Sequence, residues 1–293
     1  MNEIGLVLSG GGARGAYQAG VVKGLNEIFQ ELGLRKTPGI ITGVSAGAIN
    51  TAHLGQWSLS ANWGVDQLCD LWGQLTADKV FATDAITLGK IGFKWVSELS
   101  LGGMVGGHSG RALLDTAPLR SLLDKEVNFQ ELHKKSAQGG FKALAVTAVD
   151  YYTSTAITFV EGQGALPEWE KDRVKSERAQ IRADHIMASS AIPLLFPPIQ
   201  VDNSYFGDGC VRNSHPCRPA LYLGAKRLIV VGVRKHSPSE VAPPSAKAPS
   251  VGKVLNLLMN AILLDAVEID IERMERLNKM IEGLSVKIGR AHV

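Results

Sequence analysis

The 293 residues are 45% hydrophobic and 20% charged, enough apolar material for a sizeable core and too much for a disordered chain. A net charge of +3, with no basic run interleaved with aromatics, gives no support for a nucleic-acid partner. Three cysteines (Cys69, Cys210, Cys217) make no disulfide framework, no Cys/His cluster has zinc spacing, and no apolar stretch is long enough to span a membrane.

In chain order, Ile4 to Leu8 reads as a buried strand running into Ser9-Gly10-Gly11-Gly12. Ala16, Ala19, Val22, Leu25, Ile28, Phe29 and Leu32 then recur at helical spacing, with Gly33 as the stop. Ile40 and Ile41 open a second strand that ends at Gly43, and small residues lead into a helix through Ile49, Ala52 and Leu54. Strand, turn and helix, repeated, predict a parallel α/β sheet. Leu59 to Leu75 reads as a further helix. Thr83 to Gly110 is apolar and glycine-rich without a clear period, and is either a lid or an irregular insertion.

Leu119 to Leu123 reads as helix, and Lys142 to Val149 and Thr155 to Val160 as strands. Pro167 to Arg182 is charged and reads as a solvated face. Ala183 to Ala191 reads as a helix stopped by Pro193, and Leu228 to Val233 as a buried strand. Ser237 to Ser250 is a Pro/Ser/Ala-rich linker, and Val251 to Leu284 a long amphipathic helix. The last six residues, Ile288 to Val293, equal one reading frame of a common sequencing adapter. They are expected to be a non-native tail, with the natural chain running on past this point.

Gly10-Gly11-Gly12-Ala13-Arg14-Gly15 satisfies G-x-G-x-x-G between a strand and a helix. A dinucleotide site wants an acidic residue at the end of the next strand, and that strand ends in Thr42-Gly43-Val44-Ser45 instead. Consecutive glycines before a helix N-terminus can nonetheless aim several N–H groups at one negative charge, either a phosphate or a developing oxyanion.

Gly43-Val44-Ser45-Ala46-Gly47 is G-x-S-x-G in a strand-turn-helix setting, the context of a nucleophile elbow. The plainer reading is a serine that caps a helix. A nucleophilic serine needs a base. His236, late in the chain, is a candidate for a triad, whereas each histidine taken singly reads as surface or packing. Phe206-Gly207-Asp208-Gly209-Cys210 places an aspartate between glycines at a strand end; the plainer reading is an Asp-Gly turn.

These three strings, in this order, resemble the patatin-like phospholipase family. Ala188-Ser189-Ser190-Ala191-Ile192-Pro193, followed by Phe196-Pro197-Pro198, is similar to the segment that precedes the Asp loop in that family. The resemblance covers residues 4 to 235. It departs at Cys210, where the family has Gly or Ala. It implies a three-layer α/β/α fold with a mainly parallel sheet and a helical C-terminal extension. It also implies a Ser45–Asp208 dyad working through an acyl-serine, with partial burial raising the carboxylate's pKa. Gly10, Gly11, Gly12 and Arg14 would form the oxyanion hole, with N–H groups from Gly11 and Gly12 and with Arg14 adding charge or bracing the turn. Gly43 and Gly47 would shape the elbow, and Gly209 the Asp loop.

The implied activity is lipid acyl hydrolysis of the phospholipase A or lysophospholipase type, with a lipid or membrane-surface substrate and neither metal nor cofactor. Alternatives are an acyltransferase with the same dyad, a non-catalytic lipid-binding protein, and a dinucleotide-binding protein. The expected domains are a catalytic domain over 1–235, a linker over 236–250, the start of a truncated helical region over 251–287, and the tail 288–293. The long helix is expected to pack against the core or another copy rather than lie on a membrane. With no signal-type N-terminus, the expected location is the cytoplasm, including the inner face of a membrane.

Overall fold

The computed structural model describes residues 3–33, 37–82, 112–233 and 248–283. Strands β1 (Ile4–Leu8), β2 (Ile40–Val44) and β3 (Ala143–Asp150) pair in parallel, and β9 (Arg227–Val231) joins β1, also in parallel. β4 (Thr155–Gly162) turns back on β3. β6 (Val174–Arg178) runs parallel to β4, with β5 (Glu170–Lys171) at its outer edge. The main path of this nine-stranded sheet is β5-β6-β4-β3-β2-β1-β9. A hairpin of β7 (Ile199–Val201) and β8 (Ser204–Asp208) hangs from β3.

The central strands β2 and β3 are buried along their whole length because both faces are covered. Alternate side chains serve different layers. Leu6 and Leu8 pack with residues of α1 (Gly15–Glu31), α2 (Ala46–Gln56) and α3 (Val65–Gly73). Val7 faces the opposite core with Ala220 and Leu223, at and just after α8 (Arg218–Tyr222). The expected α/β/α sandwich is thereby formed. The remaining helices are α4 (Ala77–Val80), α5 (Ala117–Glu126), α6 (Phe129–Ala137), α7 (Ala183–Ser189) and α9 (Val251–Gly283). Among the described residues no helix is long and apolar enough to cross a membrane.

Gly33 stops α1 as expected: its φ is 72° and its N–H bonds the Gln30 carbonyl at 2.9 Å. Three expectations need correction. The helix read over Leu59 to Leu75 is confined to α3, because Trp63 and Gly64 have φ of 53° and 67° and break the helical path. The charged stretch from Pro167 to Arg182 contains the β5–β6 hairpin, where a charged edge strand suits the rim of a sheet. β9, read as buried, is half-buried because it is the other edge strand.

Among the described side chains of α9, Val267 and Asp270 are buried, while Val254, Leu258, Ile269 and Leu277 are exposed. The helix is fastened by polar contacts. The Cys217 N–H donates to Asp270 Oδ2 at 3.0 Å, and Arg273 donates to His215 Nε2 at 2.8 Å. The glycine-rich segment 83–110, most of the linker 237–250 and the tail 288–293 lie outside the described residues. α6 has no counterpart in the sequence expectations, although Asn128 caps it by accepting the Glu131 N–H at 3.0 Å.

Candidate active site

Two strand ends meet along one edge of β3. Val44, the last residue of β2, sits opposite Thr147, and β2 stops there. β8 takes over that edge from the other direction, with Asp208 opposite Ala148. Consecutive residues of β3 therefore bring together Ser45, which follows Val44, and Asp208, from segments more than 160 residues apart.

Ser45 has φ 54° and ψ −126°, a region a non-glycine residue enters at a cost of about 1–3 kcal/mol. Its neighbours hold it there. A Cβ on Gly47 would collide with the Leu8 carbonyl oxygen, and one on Gly43 with the Gly47 carbonyl, so the elbow closes only with glycine on both sides. The buried Ser189 hydroxyl accepts the Ser45 N–H at 2.9 Å and donates to the Thr147 carbonyl at 2.7 Å. Ser189 thus ties the elbow to β3, the strand with which both β2 and β8 pair.

Asp208 is fully buried. Its N–H donates to the Ala191 carbonyl at 2.8 Å, which joins the Asp loop to the segment after α7. Oδ1 accepts the Cys210 N–H at 2.9 Å, and Oδ2 has no partner of hydrogen-bonding geometry. Burial pushes the carboxyl up to about 6. The Ser45 hydroxyl beside it and the Cys210 N–H oppose that rise. Tyr151 occupies the place a side chain at Gly207 would need, and the Thr147 carbonyl does the same at Gly209. The glycines on either side of Asp208 are therefore steric requirements.

Cys210 fills the gap beneath the glycine turn. A Cβ on Gly10 would meet its sulfur, and the Gly10 N–H is directed at the thiol, whose pKa burial raises well above the ordinary value. Gly10 is thus engaged with Cys210, whereas the N–H groups of Gly11 and Gly12 make no hydrogen bond among the described residues. The Arg14 side chain is exposed and has no partner among the described residues, while its backbone N–H donates to the Gly11 carbonyl at 3.2 Å across the turn.

The brace comes from residues the sequence reading passed over. Buried Gln18 donates to the Ser9 carbonyl at 2.8 Å and the Val231 carbonyl at 3.1 Å, and accepts from Asn50 at 3.0 Å. Asn50 in turn accepts the Trp72 indole N–H at 2.6 Å. A polar residue on the core-facing side of each helix was the available signal.

A cavity of about 340 Å³ opens in front of Ser45. Trp72, Val80, Phe81, Leu119, Ile192 and Phe196 form most of its wall, and Gly12 contributes to its rim. Such an apolar space beside one reactive hydroxyl suits a hydrocarbon chain attached to a polar junction. The described histidines are engaged elsewhere. His53 bonds the Gly64 carbonyl at 2.9 Å, His133 meets Glu161 at 2.8 Å, His185 accepts the Arg182 N–H at 2.9 Å, and His215 faces Arg273. His236, His108 and His292 lie outside the described residues.

A mixed sheet with a strained serine turn and a buried aspartate at one carboxyl edge defines an α/β architecture of the serine-elbow kind. The chain belongs to the patatin-like phospholipase family, whose model matches residues 6–221. Membership supports lipid acyl hydrolase activity in general terms. Solved structures that match include VipD from Legionella pneumophila, at 16% identity and a TM-score of 0.40 over 71% of this chain. This chain spans 46% of the length of that one. No curated protein matches.

Proposed function

We propose that the protein hydrolyses lipid acyl esters of the phospholipase A or lysophospholipase type through a Ser45–Asp208 dyad. The observation that carries this reading is the free Oδ2 of a buried carboxylate beside a strained serine, at the mouth of an apolar cavity. Oδ2 takes the hydroxyl proton as Ser45 Oγ attacks the ester carbonyl. Raising the carboxyl to about 6 makes it a better base than an exposed aspartate while leaving it ionised near neutral pH. The N–H groups of Gly11 and Gly12, together with the start of α2, stabilise the oxyanion. Asp208 then returns the proton to the leaving alcohol. Water, deprotonated by the same carboxylate, releases the acyl group from Ser45.

The test is a panel of short- and long-chain esters and phospholipids with Ser45→Ala as the blank. Turnover of acyl esters that vanishes in the blank supports the reading, and equal turnover in both proteins overturns it. Acyl transfer to an added alcohol in place of fatty-acid release would identify an acyltransferase with the same dyad. Thermal stabilisation by a dinucleotide, without ester turnover, would favour the nucleotide reading of the glycine turn.

A further inference from the structure

A second, larger groove of about 730 Å³ is lined by Cys210, Val211 and Arg212, the residues that follow the Asp208–Gly209 pair. Three separate segments bring arginines to it: Arg173 from the β5–β6 hairpin, Arg212 from the turn after Asp208, and Arg218 from the start of α8. Asp172 is the one carboxylate among the described residues that line it. Arg173 and Arg218 have no side-chain hydrogen bond or ion pair among the described residues. Arg212 uses only its Nε, which donates to the Ser154 carbonyl at 3.2 Å. The groove therefore holds guanidinium groups whose donors remain to be used, and guanidinium matches phosphate oxygens in charge and geometry. His215, at the same wall, has its pKa lowered by burial and by Arg218 and Arg273, against the pull of Asp270.

The groove is not uniformly polar. Val211 and Ile269 line it and are 38% and 63% exposed. Its position is also fixed relative to Ser45. β2 and β3 are parallel, so the Tyr151–Ser154 turn at the end of β3 and Ser45 at the end of β2 lie on the same edge of the sheet. Arg212 bonds that turn, and Tyr152 at its tip is 76% exposed. An exposed tyrosine, apolar side chains and unpaired arginines on one edge are the composition of a surface that meets a bilayer at headgroup level.

We infer that the groove formed by Arg173, Arg212 and Arg218 binds the headgroup phosphate of an anionic phospholipid in a bilayer, and so docks the Ser45 edge of the protein onto membranes. This rests on the lipid-acting reading of the site, but the docked lipid is distinct from the one that is cleaved. Its phosphate sits beyond the Asp loop, outside the apolar cavity. Docking raises the local concentration of substrate without altering the chemical step.

The experiment uses the full chain with Ser45→Ala, so that vesicles are not consumed. Co-sedimentation is measured with phosphatidylglycerol vesicles and with phosphatidylcholine vesicles. Retention on the anionic vesicles alone is expected, and Arg173→Gln/Arg218→Gln should weaken it about thirtyfold, roughly fivefold per arginine. Arg173→Lys/Arg218→Lys should keep most of the binding.

In the chain with Ser45 intact, the glutamine pair should hydrolyse a soluble short-chain ester at the normal rate. Loss of that turnover would mark a damaged fold, and the lysine pair then decides by its own retention. Undiminished retention of the glutamine pair would overturn the proposal. So would equal binding to both vesicle types. Failure of the Ser45 reading would show instead as absent turnover of soluble ester in the unaltered chain, whatever the vesicles show.

Discussion

In front of Ser45 the cavity wall is Trp72, Val80, Phe81, Leu119 and Phe196; two residues past Asp208 the groove wall begins and carries Arg173, Arg212 and Arg218. One junction separates an apolar space from a basic one. The difference separates two kinds of surface on one edge of the molecule. On the readings proposed above, the apolar space takes the acyl chain of the lipid that is cleaved, and the basic groove takes the phosphate of a separate, docked lipid. The two spaces also differ in construction. The Ser45 side rests on buried, short-range constraints in which every neighbour is specified. The groove rests on long side chains from three segments, Arg173 exposed and Arg212 and Arg218 half-buried, which tolerate substitution better.

That contrast can be broken most forcefully at the dyad. Ser45→Ala should lower ester turnover by at least about 10⁴-fold, read with a soluble ester and with phospholipid alike. Asp208→Asn should cost about 10²–10⁴-fold. The same substitution should stabilise the fold. A carboxyl with pKa about 6 when folded and 3.8 as its reference holds its proton longer in the folded state. Its contribution is therefore favourable below about pH 4 and lost as pH rises through about 6. Asp208→Asn should gain up to about 3 kcal/mol at pH 7, in denaturant titrations, and that gain should shrink between pH 6 and 4.

Smaller effects sharpen the picture. Ser189→Ala should lower kcat about tenfold to a hundredfold with little change in KM, because it releases the Ser45 N–H and shifts the nucleophile without touching the acyl cavity. Ser189→Thr should restore part of the rate if the methyl group fits. Turnover of the unaltered chain should rise with pH through an apparent pKa of about 6, as Asp208 becomes the ionised base. The smallest effect is expected on the basic side, where Arg173→Gln/Arg218→Gln should leave soluble-ester kinetics unchanged.

The parallel sheet and the Ser45 and Asp208 strings were legible because their glycines are forced by close backbone contacts, and such contacts leave a spacing in the sequence. Ser189 was visible only as part of a resembling segment. Its role depends on a partner 144 residues away, which no local pattern encodes. Gln18 and Asn50 were hidden in the same way, as polar residues whose partners come from other turns. The β5–β6 hairpin was read only as a charged, solvated face, because charge on an edge strand masks the strand pattern. The arginine groove had no sequence signature, since its three arginines lie on separate elements. Cys210 departs from the family pattern, and its explanation lies in the space under Gly10, which a thiol fills.

The central claim is that Asp208 activates Ser45. The most direct measurement is the rate at which a fluorophosphonate labels the protein, with the modified residue located by mass spectrometry. The expected result is a single label on Ser45 that forms at least about a hundredfold more slowly in Asp208→Asn. Labelling at another residue, or an undiminished rate in Asp208→Asn, would contradict it.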